Sequence, residues 1–191
     1  MEDTLNYKEQ SILFELAREA ITRAVHGEPE PEVDTSALTE RLRQQGASFV
    51  TLRKPDGQLR GCIGSIEAHI PLAQDVQRNA VGSAMRDPRF PPVSPDELDG
   101  LQIELSILTP PQALDFSGPD DLLAKLRPGV DGVIIDKNWR RATLLPSVWE
   151  NIPDPIEFMS ILCRKAGLPD REWRRPGMTV YVYQAEKVAE N

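Results

Sequence analysis

Ala47-Ser48-Phe49-Val50-Thr51-Leu52-Arg53, Lys54-Pro55-Asp56-Gly57 and Gln58-Leu59-Arg60-Gly61-Cys62-Ile63-Gly64-Ser65-Ile66 read as strand, turn and strand. The two outer runs are rich in β-formers, and in the turn proline presets φ while glycine accepts a positive one. A β-hairpin is therefore predicted, and with it an antiparallel sheet. Pro71 then opens a predicted helix through Met85, with Ala73, Val76, Ala80 and Ala84 on one face. Asp87-Pro88-Arg89-Phe90-Pro91-Pro92 has three prolines, each restricting itself and its predecessor, so it reads as a stiff, extended connection. Ser94, Pro95 and Glu97 have the pattern of a capped helical turn, and Leu101, Ile103, Leu105 and Ile107 alternate with polar residues as a half-buried strand.

The same order recurs farther along. After a short helix from Pro119 to Leu126, the runs 132–136 and 139–145 read as strands joined around Lys137-Asn138. Asp154, Pro155 and Glu157 start a helix with Phe158, Ile161, Leu162 and Ala166 as its buried stripe, stopped by Gly167, and the run 178–185 is a last strand. On the N-terminal side, Asn6 and Glu9 form a capping box for a helix to Val25, an acidic linker follows at Glu28-Pro29-Glu30-Pro31-Glu32, and a short helix runs from Ser36 to Gln45. The expectation is one α+β domain over residues 1–191 with mostly antiparallel sheet. It divides into a helical lead (1–46) and two ββαβ-like units (47–110 and 111–191) related by pseudo-duplication.

Composition narrows the function classes. The 191 residues carry a formal net charge of −8, with much of the acidic excess in the first 46 residues, so bulk charge recruits neither phosphate backbones nor anionic lipid. Stretches free of Asp, Glu, Lys and Arg reach no further than Leu105–Leu114 and Pro176–Ala185, too short for a helical membrane span, and Met1-Glu2-Asp3 does not open a signal peptide. A cytoplasmic location is expected. Cys62, Cys163, His26 and His69 show no zinc-ligand spacing, and no metal or cofactor is expected from the ligand set. Walker, G-x-G-x-x-G and G-x-S-x-G patterns are absent from the sequence.

One segment invites chemistry. Leu59-Arg60-Gly61-Cys62-Ile63-Gly64 places two glycines in a strand, where each loses backbone entropy and packs no side chain, so close approach of a ligand, strand or partner is expected to compensate. Strict alternation puts Arg60, Cys62 and Gly64 on one face, a guanidinium beside a thiol over a vacancy. A neighbouring cation favours thiolate, which makes Cys62 a candidate nucleophile with Arg60 its stabiliser; the competing readings are a buried, inert cysteine and an Arg60 paired with, for instance, Glu104. Arg89 and Phe90, on the proline-locked segment, are candidates to hold a carboxylate or planar group. Arg140, Arg141, Arg171, Arg174 and Arg175 give a local basic tint, and Trp139, Trp149 and Trp173 read as core or interface anchors.

The hexapeptide resembles the signature of the AMMECR family, the domain of AmmeMemoRadiSam system protein A. The likeness continues through Phe49-Val50-Thr51-Leu52, Asp87-Pro88-Arg89-Phe90-Pro91-Pro92, Ile103-Glu104-Leu105-Ser106-Ile107-Leu108, Leu145-Pro146-Ser147-Val148-Trp149-Glu150 and Lys165-Ala166-Gly167-Leu168. The resemblance implies two subdomains with the hexapeptide near the groove between them. It also implies an accessory role, since similar bacterial and archaeal proteins tend to be encoded beside, or fused to, a Memo-like protein and a radical S-adenosylmethionine enzyme. The leading expectation is a binding module whose site, drawn from Arg60, Gly61, Cys62, Gly64, Arg89 and Glu104, receives a partner segment or small anionic ligand. The alternatives are an enzyme with Cys62 in covalent or redox chemistry and Glu104 as proton carrier, and a nucleic-acid-linked regulator, which the charge disfavours.

Overall fold

The computed structural model describes residues 4–190. In chain order its elements are α1 (Tyr7–Val25), α2 (Glu40–Arg43), β1 (Gln45–Arg53), β2 (Leu59–Gly64), β3 (Ile70–Pro71), α3 (Leu72–Met85) and β4 (Gln102–Leu108). Then come β5 (Gln112–Ala113), α4 (Pro119–Lys125), β6 (Gly132–Lys137), β7 (Arg140–Leu144), α5 (Pro155–Lys165), β8 (Thr179–Tyr183) and β9 (Ala185–Ala189). The chain forms two compact units: residues up to Leu108 together with the tail from Glu186, and Thr109–Ala185.

In the first unit β1 lies between β2 and β4, antiparallel to both, and β9 extends the sheet beyond β4. α1 begins as its capping box dictates: the Asn6 side chain accepts from the Glu9 N–H, and the Glu9 carboxylate accepts from the Asn6 N–H. Leu13, Ala17 and Ile21 of α1 and Ala73, Val76 and Ala80 of α3 pack with Val50, Leu52, Ile103 and Leu105 in one buried cluster, so both helices cover the same sheet face.

The second unit repeats the arrangement. β6 lies between β7 and β8, antiparallel to both, with β5 beyond β8. In each unit the first hairpin strand is central, its hairpin partner lies on one side and the strand after the helix on the other, the shared strand order that pseudo-duplication requires. The second core gathers Leu122, Val133, Ile135, Phe158, Leu162, Trp149 and Trp173. Trp149 stacks on Phe158 with centroids 3.7 Å apart and donates from Nε1 to the Asp131 carbonyl at 2.7 Å.

Several local expectations are corrected. The helix expected over 36–45 is a 3-10 turn at Thr35–Ala37 followed by α2, and Gly46 lies within β1 because Gln45 and Gly46 pair with Pro71 and Ile70 of β3. Pro71 is thus the cap of α3 rather than its first residue. The last expected strand, 178–185, is β8, and an unexpected further strand, β9, follows it and pairs beside β4. The strand expected from 139 begins at Arg140; Asn138 and Trp139 take positive φ (52° and 65°) as a two-residue hairpin turn, which leaves Trp139 fully exposed while Trp149 and Trp173 are buried. No helix among the described residues is long and apolar enough to cross a membrane.

Candidate functional site

The face of the signature strand is set by a register shift. Leu52 faces Gly61 and Arg53 faces Leu59, so Arg60 is the extra residue of a bulge. Alternation fails there, and Arg60 does not stand beside Cys62 over open space. Its side chain, only 5% exposed, grips Glu97 through Nε (2.7 Å) and Nη2 (2.9 Å) and donates to the carbonyls of Pro91 (3.0 Å) and Pro92 (3.3 Å). Glu97, not Glu104, is therefore its ion-pair partner. Glu97 also accepts from the Ser94 N–H and hydroxyl, both at 3.0 Å, so one arginine fastens the strand, the proline segment and the following turn. The hydrogen bonds from Arg60 hold the Glu97 carboxyl down to about 2 and push the arginine up in turn.

The glycine vacancies are filled by the protein itself. A Cβ on Gly61 would lie 2.1 Å from the Ser83 carbonyl oxygen of α3, and one on Gly64 would lie 2.2 Å from the ring of Phe49, its cross-strand neighbour. The second unit does the same on β6, where a Cβ on Gly132 would lie 2.3 Å from the ring of Tyr183. Bare backbone here admits a helix and aromatic rings, not a ligand.

α3 reaches the hairpin through a polar stripe spaced every four residues, Asp75, Asn79, Ser83 and, just past the helix end, Asp87. Asp75 Oδ2 accepts from the Ser48 N–H and hydroxyl, both at 2.7 Å, and from Asn79 at 2.9 Å, while Oδ1 accepts from Ser65 at 2.6 Å. Burial pushes the Asp75 carboxyl up despite these donors. The Ser83 hydroxyl accepts from Ile63 N–H at 2.8 Å and donates to the Val50 carbonyl at 2.7 Å, bridging two residues that face each other in the hairpin. Asp87, its side chain 2% exposed, accepts from the Cys62 N–H at 2.8 Å. The apolar face of α3 is plain in the sequence; this stripe was legible too, as polar residues at four-residue spacing inside a helix of small side chains.

The cation beside Cys62 is Arg89. Asp87 holds it through Nε (2.9 Å) and Nη2 (2.6 Å), and Nη2 also donates to the Cys62 carbonyl at 3.3 Å. The hydrogen bonds from Arg89 hold the Asp87 carboxyl well below the carboxylate range. The Arg89 side chain is nonetheless 53% exposed, with its guanidinium 5.5 Å from the Phe90 ring centroid. Cys62 is half-buried, and the Thr51 hydroxyl donates to its sulfur at 3.3 Å.

Register places Cys62, Thr51 and Glu104 abreast on adjacent strands. Glu104 is held by Arg53 at 2.8 Å and Lys187 at 3.2 Å. Burial opposes its ionisation, but those two cations outweigh it and keep the carboxyl below its ordinary value. At neutral pH it is ionised, its carboxylate engaged by both cations. Of the sequence-predicted residues, the structure thus brings Cys62, Arg89 and Glu104 to one neighbourhood, with Thr51 added, and gives Arg60, Gly61 and Gly64 to packing. Cys163 is buried in the second core, where burial pushes its thiol up. Among the described residues no three His, Cys, Asp or Glu side chains converge as metal ligands.

This chain is similar to solved and sequenced proteins over most of its length. An uncharacterized protein of Pyrococcus horikoshii superposes with a TM-score of 0.82 at 38% identity, covering 94% of this chain and 90% of that one. A protein of Methanopyrus kandleri is 39% identical over 189 residues, covering 97% of this chain and 90% of the relative. A protein of Methanothermobacter thermautotrophicus is 40% identical over 187 residues, covering 95% and 94%. With the AMMECR1 family model matching residues 14–188 as well, the chain belongs to the AMMECR1 family.

Proposed function

We propose that the protein is a binding module that presents Arg89 and Cys62 at the edge of its signature strand, and that it serves as an accessory to a Memo-like protein and a radical S-adenosylmethionine enzyme. The observation that supports the binding reading is Arg89, which Asp87 holds in one pose while half its side chain stays open to solvent. A partner carboxylate or carbonyl there meets a donor whose rotamer entropy is already spent. The cytoplasmic setting belongs to the same reading. So does the economy of the remaining charges: Arg60 and Glu104 are occupied by Glu97, Arg53 and Lys187.

Capture of the purified Memo-like and radical proteins from one genome on immobilised wild-type protein tests this. Binding at physiological salt is expected, weakened about tenfold or more by Arg89→Glu, a loss of about 1.4 kcal/mol or more, and retained by Cys62→Ser. No capture at any salt overturns the accessory reading. One observation keeps an enzyme reading in view, the half-buried Cys62 sulfur hydrogen-bonded by Thr51. It is favoured instead if Cys62→Ser abolishes an activity of the assembled system while capture is unchanged.

A further inference from the structure

The second unit holds a cavity of about 590 Å³ between the segment 113–119 and the segment 173–180. Its origin is a strand that departs from its neighbour. β5 pairs with β8 through Gln112 and Ala113, and the Leu114 N–H donates to the Val180 carbonyl at 2.9 Å, after which the chain leaves the β8 edge. The departing loop is pinned: Lys125 donates to the Asp115 carbonyl at 2.8 Å, and Asp121 accepts from the Ser117 N–H at 2.8 Å and its hydroxyl at 3.1 Å. The space is therefore preformed, and its size is that of a small-molecule site, roughly 300–1,000 Å³.

Gly118 carries the argument further. Its φ of 173° is an extended conformation open to any residue, and a Cβ there would meet nothing within 4 Å. Neither a positive φ nor close packing calls for glycine here, unlike the close packing at Gly61 and Gly64. Gly118 is one of the residues lining the cavity and contributes only backbone to it. Phe116 and Met178 supply apolar surface. Arg174 lies 4.7 Å from the Trp173 ring centroid, which orients its guanidinium, and among the described residues it has no carboxylate partner. Arg175 shares Glu172 at 3.5 Å. Against these two guanidiniums the lining sets one carboxylate, Asp115.

We infer that this cavity is a binding site, distinct from the signature strand, for a small monoanion with a flat apolar body, its acid group on Arg174 and Arg175 and its body against Phe116 and Met178. The test is titration calorimetry of the full chain with 3-phenylpropionate and indole-3-acetate against neutral 3-phenylpropanol. At least one acid is expected to bind about tenfold or more tightly than the alcohol, and Gly118→Leu and the double variant Arg174→Gln, Arg175→Gln each to weaken it by a similar factor. Circular dichroism checks that each variant is folded; should Gly118→Leu fail to fold, the double variant decides. No binding by either acid, equal binding by the alcohol, or binding unchanged in the folded variants overturns the inference.

Discussion

Gly61→Ala is expected to lower unfolding stability by about 3 kcal/mol or more, although it adds one methyl group to a strand, where alanine is normally no worse than glycine. The added carbon would lie 2.1 Å from the Ser83 carbonyl oxygen, an atom of helix backbone that no rotamer change removes. Relief requires α3 to back away from the hairpin. That would stretch the Ser83 bridge between Ile63 and Val50 and the Asp87 hydrogen bond to Cys62, so the local damage spreads along the polar stripe. Gly118→Ser, where a Cβ meets open space, is the control and should stay within about 0.5 kcal/mol of wild type. Urea unfolding of the three proteins at pH 7 reads both numbers.

Arg60→Leu is expected to cost about 2 to 3 kcal/mol at pH 7, because it leaves Glu97 without its bidentate partner and two proline carbonyls without donors. The sign of the pH effect follows from Glu97. Its carboxyl is held down to about 2 from an ordinary value of 4.5, so the stability it contributes is fully present above that ordinary value. This part is lost as pH falls toward about 2. The gap between wild type and Arg60→Leu should therefore narrow across that acid window, and a gap constant from pH 7 to pH 2.5 would contradict the pairing. Arg60→Lys should recover only part of the loss, since an ammonium does not reproduce the two parallel bonds of the guanidinium fork.

Much of the architecture was legible in the sequence because it rests on local rules. The Lys54-Pro55-Asp56-Gly57 turn fixes the hairpin, Asn6 and Glu9 fix the start of α1, and Asp154 and Gly167 bracket α5. The alternation from Leu101 to Ile107 fixes β4. The ββαβ order read twice along the chain reappears as one strand order in both sheets. β5 and β9 escaped notice for a physical reason: one is two residues long, the other is a polar stretch, Ala185-Glu186-Lys187-Val188-Ala189, whose pairing beside β4 is non-local.

The site was legible only in part. Cys62 and Arg89 were both visible as candidates, but which arginine stands beside the sulfur depends on the bulge at Arg60, a one-residue event that alternation does not report. The two glycines were correctly read as places of close approach. What approaches was not readable, because Ser83 and Phe49 become their neighbours only once α3 docks and β1 pairs. The four-residue polar spacing of α3 was open to reading, since buried polar groups on a helix need partners and a facing hairpin supplies them.

The signature strand thus divides its labour: Arg60, Gly61 and Gly64 fasten the strand to α3, the proline segment and Phe49, and Cys62 with Arg89 is the portion left partly open to solvent. Labelling of the native protein with a small maleimide, read by peptide mass spectrometry, addresses this division. The prediction is modification of Cys62 in the folded state, with Cys163, enclosed in the second core, reacting only on unfolding. Protection of Cys62 equal to that of Cys163 until the chain unfolds would contradict it.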